Sequence, residues 1–266
     1  MTQRRVLITG GGSGLGRALA QRYARDGAAV AVVDLDLARA EETVELLGGA
    51  PHWARQADVA NDDSMQALAE AVQQRWEGVD VLLNNAGIAS GGPMVGSTMK
   101  EWREVLEINL FGVVRGCLAF LPGMIARGRG QIINTASFAG LAGAPNIMSY
   151  GVSKAGVVTL SEQLRAEVID QGIQVSVICP AFFQTNLLES WRGDPRMKKF
   201  GEKMMQTSTD TLDSVADHVF EAAERGDFLI LPTRREPMRW RIKRWFPKFY
   251  FKKLRALSGH ARSGAP

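Results

Sequence analysis

Short runs of β-branched and aliphatic residues alternate with longer amphipathic segments along most of the chain. The short runs predict buried strands, and the longer segments, for example residues 15–26 and 62–77, predict helices. Because strands joined by crossover helices pair in parallel, this order predicts an α/β fold, a Rossmann-type doubly wound sheet of seven mostly parallel strands flanked by helices. The predicted strands are RVLIT, AVAVVD, HWARQAD, VDVLLNNA, GQIINTAS, IQVSVICP and FLILP.

The pattern runs without interruption to Pro232. With 266 residues, 45% of them hydrophobic, the chain can bury a large core in one domain. We find no internal repeat, low-complexity tract or linker before Pro232, so we expect one catalytic domain over residues 1–232 and a tail over residues 233–266.

Neither a membrane span nor a signal peptide is evident in the sequence. No apolar run approaches the roughly 18 residues of a spanning helix, and MTQRRVLITG passes directly into a strand. The sequence therefore predicts a cytoplasmic protein. Cys117 and Cys179 stand apart from each other and from any histidine cluster, which favours buried, reduced thiols and no metal site.

A glycine-rich loop, TGGGSGLG, lies between the first predicted strand and the first predicted helix. Glycines allow a tight turn there and let a pyrophosphate approach the backbone and the positive end of the helix dipole. Asp34 ends the second predicted strand, where its carboxylate can accept both hydroxyls of an adenosine ribose. Strand, loop, helix and acid together predict a dinucleotide-binding site.

The same acid indicates which dinucleotide binds. A carboxylate at Asp34 would repel a ribose 2′-phosphate, and the neighbouring Leu35 and Ser13 are not basic. Arg39 lies close enough in sequence to favour NADP, but one turn into the next helix it is more typical of a solvated surface charge. We therefore expect NAD as the cofactor, with NADP as the less favoured alternative.

A second motif, SYGVSKAG, places Tyr150 and Lys154 four residues apart, on one face of a predicted helix. A nearby ammonium lowers the pKa of a tyrosine, so such a pair can exchange a proton with an alcohol. At this spacing, however, the pair is more often an ordinary helix-surface pair. Ser137 favours the catalytic interpretation, because it ends the strand GQIINTAS and strand ends of an open parallel sheet face the ligand crevice.

The ordered motifs over roughly residues 4–232 resemble the short-chain dehydrogenase/reductase family. The resemblance implies a catalytic tetrad of Asn109, Ser137, Tyr150 and Lys154. It also implies a cofactor site made by the glycine loop, the DV pair, the NNAG segment, the catalytic Tyr and Lys, and the PAFFQT segment. The implied cofactor residues are Gly10, Gly12, Ser13, Gly14, Leu15, Gly16, Asp34, Asp58, Val59, Asn85, Ala86, Gly87, Tyr150, Lys154, Pro180, Phe183 and Thr185.

The resemblance also implies the roles of the tetrad. Tyr150 would exchange the proton while the nicotinamide carries the hydride, and Ser137 would hold the substrate oxygen. Lys154 would lower the pKa of Tyr150 and bind the nicotinamide ribose, and Asn109 would hold a water that relays protons from Lys154. Asn109 could also simply pin a bend in its helix. The family usually has glycine after Pro180, and Ala181 in that place would shift the backbone beside the nicotinamide.

The segment after Thr185 is rich in Leu, Met and aromatic residues, and we expect it to form a lid over about residues 186–212. Phe138, Met148, Phe182 and Phe183 lie near the reacting centre in sequence. These residues favour an apolar pocket and a lipophilic secondary alcohol, such as a sterol, retinoid or long-chain species, as substrate. They could instead pack on the core or on another subunit. As in the resembled family, a homodimer or homotetramer is expected.

Two alternatives to this function are open, and only the second belongs to another class of protein. An NADP-dependent carbonyl reductase of the same family would use the same residues, and a dinucleotide-sensing scaffold would bind cofactor without turnover. The intact tetrad is evidence against the scaffold. An intact set of reacting side chains does not decide between the two cofactors.

The tail is strongly basic. From Thr233 onward it carries 11 Lys and Arg against one acid, which leaves a net charge of −6 on residues 1–232. Aromatic and cationic residues alternate around Pro237 and Pro247, each of which suits the first turn of a helix. Such a helical tail favours an anionic membrane surface and a peripheral location on its cytoplasmic face. Packing on a subunit is the alternative, and the acidic body is evidence against nucleic-acid binding.

Overall fold

The computed structural model describes residues 3–257, and the predicted parallel sheet is present in it. Seven strands pair only in parallel, in the spatial order β3-β2-β1-β4-β6-β7-β9. Their bounds are β1 Arg5–Thr9, β2 Ala29–Asp34, β3 Trp53–Gln56, β4 Val81–Asn84, β6 Gly130–Thr135, β7 Ile173–Ile178 and β9 Leu229–Ile230. Two short strands that the sequence did not predict, β5 Ser90–Gly91 and β8 Arg192–Gly193, form a separate parallel pair.

Helices connect these strands. They are α1 Gly14–Arg25, α2 Leu37–Leu46, α3 Asp62–Trp76, α4 Met99–Leu106, α5 Gly112–Arg127, α6 Phe138–Ala142, α7 Met148–Val168, α8 Pro195–Gln206, α9 Leu212–Glu224, α10 Glu236–Trp245 and α11 Pro247–Leu257. A π-helical turn, Glu107–Phe111, joins α4 to α5, and a 3₁₀ turn, Asn186–Ser190, follows the end of β7. The lid predicted over residues 186–212 therefore consists of this 3₁₀ turn, β8 and α8.

The sheet is covered on both faces, which explains why its strands are hydrophobic throughout. Successive residues of a strand point to opposite faces. Leu7 of β1 packs on one side with residues of α3, α5 and α7, whereas Val6 and Ile8 pack on the other side with residues of α1 and α9. The strand order reverses between β1 and β4, so the crevice at the carboxyl ends of these two strands is where an open sheet of this kind binds its ligand.

A buried polar network fixes the middle of the sheet. Asn84 at the end of β4 donates from Nδ2 to Oδ1 of Asn134 in β6, at 2.9 Å, and Asn134 donates to Oγ of Ser161 in α7, at 3.0 Å. Buried polar groups are tolerated when they are paired in this way. The network ties α7, which carries Tyr150 and Lys154, to the two central strands.

One helical segment corrects the expectation that no run reaches the length of a membrane span. Met99–Arg127 is long and apolar enough, with a mean hydropathy of 1.7 over its most apolar stretch, of which 39% is buried. Its inner residues Val113, Cys117, Phe120 and Met124 pack in the core. Because a core helix of a globular protein passes the same test of length and composition, the segment is weak evidence for a span.

The tail is helical up to the end of the described residues, and its last nine residues, 258–266, lie outside them. Pro237 and Pro247 stand in the first turns of α10 and α11, as predicted. On α11, Tyr250 and Leu254 are half-buried, whereas Phe249 is exposed.

Candidate active site

A cavity of about 580 Å³ lies at the carboxyl ends of the central strands. It brings together the glycine loop after β1, the end of β2, the segment after β4, the end of β6, the first turns of α7 and the start of the lid. Three of the four predicted tetrad residues, Ser137, Tyr150 and Lys154, line it. Of the other predicted cofactor residues, the lining includes Gly10, Ser13, Gly14, Leu15, Asp34, Asp58, Val59, Asn85, Ala86, Gly87, Pro180, Phe183 and Thr185.

Gly12 and Gly16 do not themselves line the cavity, and their assignment to the cofactor site stays a prediction. Both are needed to shape the loop. The backbone N–H of Gly12 donates to Oδ2 of Asp34 at 2.9 Å, and a Cβ at Gly12 would lie 2.8 Å from that oxygen. A Cβ at Gly16 would overlap the carbonyl of Gly10, so glycine lets the first turn of α1 lie against the loop.

The start of α1 fits a pyrophosphate. Its N-cap residue, Ser13, makes no side-chain capping hydrogen bond, and no acid stands in the first turn. The first N–H groups of a helix have no partner within the helix and carry the positive end of its dipole. An anionic group in the cavity beside Ser13 and Gly14 would therefore be stabilised.

Asn85 joins three strand ends beneath the loop. Its Nδ2 donates to the carbonyls of Thr9 and Gly10, at 3.1 and 3.2 Å, and its Oδ1 accepts from the hydroxyl of Thr135, at 3.3 Å. The side-chain amide thus holds the loop against the ends of β4 and β6.

Asp34 and Arg39 face each other at one end of the cavity. Asp34 accepts the Gly12 and Asp36 N–H groups, at 2.9 and 3.1 Å, so its carboxylate is fixed. Arg39 lines the cavity too, and it pairs with Glu189 of the lid at 3.0 Å and with Asp36 at 3.5 Å. Arg39 is therefore not the purely solvated charge that the sequence suggested, and a hydrogen bond from it to Glu189 raises its pKa.

Ser137 and Tyr150 both line the cavity, and the Ser137 hydroxyl acts to lower the pKa of the Tyr150 phenol. Ser137 caps α6 by accepting the Ala139 N–H at 3.1 Å, and it donates to the carbonyl of Pro180 at 3.3 Å. Capping fixes the position of this serine at the end of β6. Both side chains thus line the cavity in which a substrate oxygen could bind.

The pKa of Tyr150 is raised, not lowered as the motif suggests. Burial of the phenol is the largest cause of the raised pKa, and the Ser137 hydroxyl opposes it. Nζ of Lys154 lies 5.9 Å from the centre of the Tyr150 ring. At this distance the ammonium does not compensate the loss of water around the phenol.

Lys154 is buried, with 4% of its surface exposed, and its Nζ donates to the carbonyl of Thr135 at 2.8 Å. Burial lowers its pKa from 10.5 to about 8, because the charged form loses its hydration. No carboxylate is among the causes of this shift. A buried ammonium without a carboxylate partner is unfavourable for folding and is typical of a functional site.

Asn109 does not line the cavity and is completely buried in the π-helical turn. Its Oδ1 accepts the Ile88 N–H at 2.8 Å, and its Nδ2 donates to the Ile88 carbonyl at 2.9 Å and to Oγ of Ser153 at 3.2 Å. The side chain is thus used in pinning the bend between α4 and α5. A π-helical turn inside a helix is frequently found at functional sites.

Ala181 does not need the conformation that favours glycine. Among residues 3–257 the non-glycine residues with positive φ are Glu77 and Asn146. The N–H of Ala181 donates to the hydroxyl of Thr233 at 3.2 Å. Alanine is therefore accommodated after Pro180 without backbone strain.

The structure adds lining residues that the motifs did not indicate. They include Ile88, Ile108, Thr135, Asn186, Leu187, Glu189, Ser190 and Met205. Thr135 and Ile88 could have been found, since each stands within two residues of a predicted site residue at a strand end. The lid residues fall within the predicted lid, but which of its side chains line the cavity could not be predicted, because the path of an irregular segment has no periodic signal in sequence.

Of the four apolar residues predicted near the reacting centre, only Phe183 lines the cavity. Phe183 is buried and lines the cavity, whereas Phe138 packs in the core. Phe182 is exposed and meets Phe200 of α8 edge to face, with the ring centres 6.4 Å apart. Met148 is exposed too.

A second, wider recess of about 960 Å³ lies beside the β5 and β8 pair. It is lined by glycines and by charged side chains, and it contains none of the predicted site residues. In the described part of the chain, no group of three or more His, Cys, Asp or Glu side chains could hold a metal ion. Both cysteines are free and buried, as predicted.

Comparison with known proteins identifies the fold family. A family model described as short chain dehydrogenase matches residues 4–196. The chain belongs to the short-chain dehydrogenase family. The membership and the fold predicted from the ordered motifs are thereby confirmed, and the chain is a member of an oxidoreductase family.

Curated short-chain dehydrogenases similar to this chain have different named substrates. D-threitol dehydrogenase of Mycolicibacterium smegmatis is 38% identical over 191 residues, 71% of this chain and 74% of that protein. 3beta-Hydroxysteroid dehydrogenase 1 of Eggerthella lenta is 35% identical over 204 residues, which are 75% of this chain and 78% of that protein. The chain spans only 39% of the length of mycobacterial proteins described as probable oxidoreductases, to which it is 32% identical over 232 residues.

A solved structure extends the likeness to the three-dimensional fold. A short-chain dehydrogenase from Burkholderia phymatum, in complex with NAD, has a TM-score of 0.87 and 29% sequence identity. The match covers 93% of this chain and 95% of that one. The family and this neighbour support a nicotinamide dinucleotide as the cofactor of short-chain dehydrogenases such as this chain.

Proposed function

We propose that this chain is an NAD-dependent dehydrogenase that interconverts a secondary alcohol and its carbonyl compound. The observation that carries the proposal is the meeting of the Ser137 and Tyr150 hydroxyls in one cavity with the buried Lys154 and with Asp34. This cavity has the two parts that hydride transfer needs, a proton-exchanging group and a dinucleotide site.

Each side chain has a defined task in alcohol oxidation. Ser137 donates its hydroxyl hydrogen bond to the substrate oxygen and positions it beside Tyr150. The Tyr150 phenolate accepts the proton of the alcohol, and in the reverse direction the phenol donates it. NAD⁺ would supply the hydride acceptor, and its positive ring would lower the pKa of the phenol. Lys154, with its pKa already lowered to about 8, can pass a proton near neutral pH.

Asn109 does not itself line the cavity in which the reaction would take place. Its Nδ2 donates to Ile88 and Ser153, and its Oδ1 accepts from Ile88. We therefore assign Asn109 as a positioning residue that sets this turn beside Lys154. A Cβ on Gly87 would lie 3.0 Å from Oδ1 of Asn109 and 3.3 Å from Nζ of Lys154, so the two side chains border the same small space.

NAD is proposed over NADP because the fixed carboxylate of Asp34 can accept the hydroxyl groups of an adenosine ribose, whereas it would repel a 2′-phosphate. Arg39 is the nearest cation that could attract a 2′-phosphate, but Asp36 and Glu189 already pair with it. The neighbouring structure in complex with NAD supports the same choice.

The substrate is proposed to be a lipophilic secondary alcohol. Phe183, and Leu187 and Met205 of the lid, give the cavity an apolar part of its lining, which suits a lipophilic substrate. The hydroxysteroid dehydrogenase among the relatives supports this class, whereas the threitol dehydrogenase shows that similar chains are also named for a polar polyol.

A screen of alcohols tests the proposal directly. Full-length protein is given NAD⁺ or NADP⁺ with sterols, long-chain secondary alcohols or polyols, and NADH or NADPH formation is followed by absorbance. We expect turnover with NAD⁺ and a lipophilic alcohol. Turnover only with polyols would reject the substrate class, and cofactor binding without turnover of any alcohol would favour the sensing scaffold.

A further inference from the structure

The two tail helices have an inner and an outer set of side chains. Trp240 of α10 packs against the main core cluster, and Lys243 donates to the carbonyl of Leu141 in α6. Tyr250 and Leu254 of α11 are half-buried, and α11 lies against α10. The tail is therefore folded onto its own domain, and this inner set accounts for only part of its apolar residues.

The outer set consists of large apolar side chains that are exposed to solvent. Trp245 is 73% exposed and Phe246 is 64% exposed, and three further residues, Met238, Phe249 and Phe251, are also exposed. These five side chains fall within 14 consecutive positions of the sequence. Single exposed apolar residues are common on proteins, but a cluster of this density marks a surface that another body covers.

The same helices carry a high density of positive charge. No Asp or Glu occurs between Pro237 and Leu257, whereas this segment contains eight Lys and Arg residues. Lys243 is directed inward, and Arg239 pairs with Glu236 at 3.0 Å. Arg241, Arg244, Lys248, Lys252 and Lys253 are exposed among the aromatic rings, and Lys253 lies over Phe249, 5.7 Å from the ring centre.

The tail is anchored close to the reacting groups. Thr233, just before α10, accepts the N–H of Ala181 at the cavity wall. Lys243 holds α10 to α6, which Ser137 caps. A body bound to the tail would therefore lie near the same end of the sheet as the cavity.

We propose that α10 and α11 dock the protein on an anionic lipid bilayer. Interfacial helices insert aromatic and apolar side chains at the level of the headgroups, while flanking cations pair with anionic lipid. A second copy of the tail is a poorer partner, because the acid-free cationic surfaces would repel each other. Docking through a lipid surface would also bring a lipophilic substrate close to the cavity; only this last point rests on the proposed function.

Vesicle co-sedimentation of the full chain tests the proposal. The probes are vesicles of phosphatidylcholine with phosphatidylglycerol and vesicles of phosphatidylcholine alone, without substrate or cofactor. We expect strong binding to the anionic vesicles, which weakens at high salt. Replacing three cations, Arg244→Gln, Lys248→Gln and Lys252→Gln, should reduce the partition coefficient roughly 100-fold.

A second variant removes the apolar contribution by Trp245→Ala, Phe246→Ala and Phe249→Ala, and it should also lose most vesicle binding. Matched controls carry the same kinds of change elsewhere on the exposed surface. Arg25→Gln, Arg55→Gln and Arg129→Gln form the charge control, and Leu46→Ala with Ile169→Ala forms the apolar control. Both controls should sediment like the unmodified protein.

Equal sedimentation of the tail variants and the controls would overturn the proposal. Release of the protein from vesicles by stoichiometric oligonucleotide would point to nucleic acid instead, and a lower molecular mass of the aromatic variant in light scattering would point to a subunit contact. NADH binding by the variants is measured in parallel. Its retention shows that the domain is folded, so failure of vesicle binding is distinct from failure of the proposed reaction.

Discussion

At the residue scale, Lys154 is a buried cation whose burial is unfavourable. Its pKa falls from 10.5 to about 8, which corresponds to roughly 3 kcal/mol of lost stability while both folded and unfolded states are protonated. As pH rises from about 8 to 10.5 the folded state releases its proton first, so the unfolded state binds more protons and stability increases. The loss of stability is thus present at neutral pH and disappears in alkali.

We therefore predict that Lys154→Met is inactive but more stable than the unmodified protein, by about 2 kcal/mol at pH 7 after allowing for the lost hydrogen bond to Thr135. The difference should shrink towards pH 10. Urea unfolding at several pH values measures it, with Lys199→Met, an exposed lysine, as the control. A variant that is less stable at pH 7, or a difference independent of pH, would contradict the assigned burial.

Asp34 carries the second prediction at this scale. NAD(H) should bind at least tenfold more tightly than NADP(H), a difference of about 1.4 kcal/mol, because only the 2′-phosphate is repelled. Asp34→Ala should narrow this gap, and Asp63→Ala, on the exposed first turn of α3, should leave it unchanged. Equal affinities of the unmodified protein for the two cofactors in calorimetry would show the choice of NAD to be wrong.

Single residues were predictable where their type and position carried the chemistry. Ser137, Tyr150, Lys154 and Asp34 line one cavity, as their places at strand ends and in one helix turn indicated. The raised pKa of Tyr150 was not predictable, because it depends on how completely the folded chain removes water from the phenol. Motif spacing indicates which charged groups lie near a titratable side chain, but not how much water that side chain loses on folding.

At the element scale, the ion pair between Arg39 of α2 and Glu189 of the lid joins two walls of the cavity, at 3.0 Å. Both side chains are about half exposed, so the pair contributes little to global stability. We expect the ion pair to affect the opening of the lid over the cavity more than the stability of the whole fold. We predict that Glu189→Gln speeds NADH release about two- to fivefold, since a weak surface pair contributes up to about 1 kcal/mol.

The same change should improve NADP(H) affinity, because Arg39 loses one of its two carboxylate partners. Stopped-flow fluorescence measures release, and Asp227→Asn, which breaks the exposed pair with Arg225, is the matched control. Unchanged NADH release in Glu189→Gln would mean that the lid does not open through this contact.

Elements were predictable where the chain pattern is strong and continuous. All seven sheet strands were predicted; β1 and β2 match their predicted runs, whereas the other five predicted runs extend one or more residues beyond the observed strands into the loops. The β5 and β8 pair has two residues per strand, too few for any period, and it forms because Trp191 and Met197 pack against Gly91. The π-helical turn likewise depends on the bonds of Asn109 to Ile88 and Ser153, which join segments distant in sequence.

At the scale of the whole molecule, α5 exposes apolar surface although its inner face is in the core. Leu118 is 71% exposed, Phe111 just before α5 is exposed, and Val152 of α7 is exposed as well. We predict that two copies pair through these helices across a twofold axis, and that Leu118→Arg gives a monomer because an isologous contact doubles the added charge. Light scattering at micromolar concentration measures the mass.

The control is Leu46→Arg on α2, which is exposed to a similar degree and should not change the mass. A monomeric mass for the unmodified protein would contradict the pairing. The predicted domain boundary near Pro232 and the cytoplasmic location stay predictions, as does the choice between dimer and tetramer.

The central claim is that one phenol exchanges the proton of the substrate, and Tyr150→Phe tests it most directly. The change removes one oxygen and keeps the ring, so the fold and the cofactor site should remain intact. With NAD⁺ and the best alcohol from the screen, we expect turnover to fall at least 100-fold, the contribution typical of a general base, with NADH affinity unchanged. Tyr250→Phe in the tail should keep full activity. Turnover of Tyr150→Phe at the rate of the unmodified protein would contradict the account.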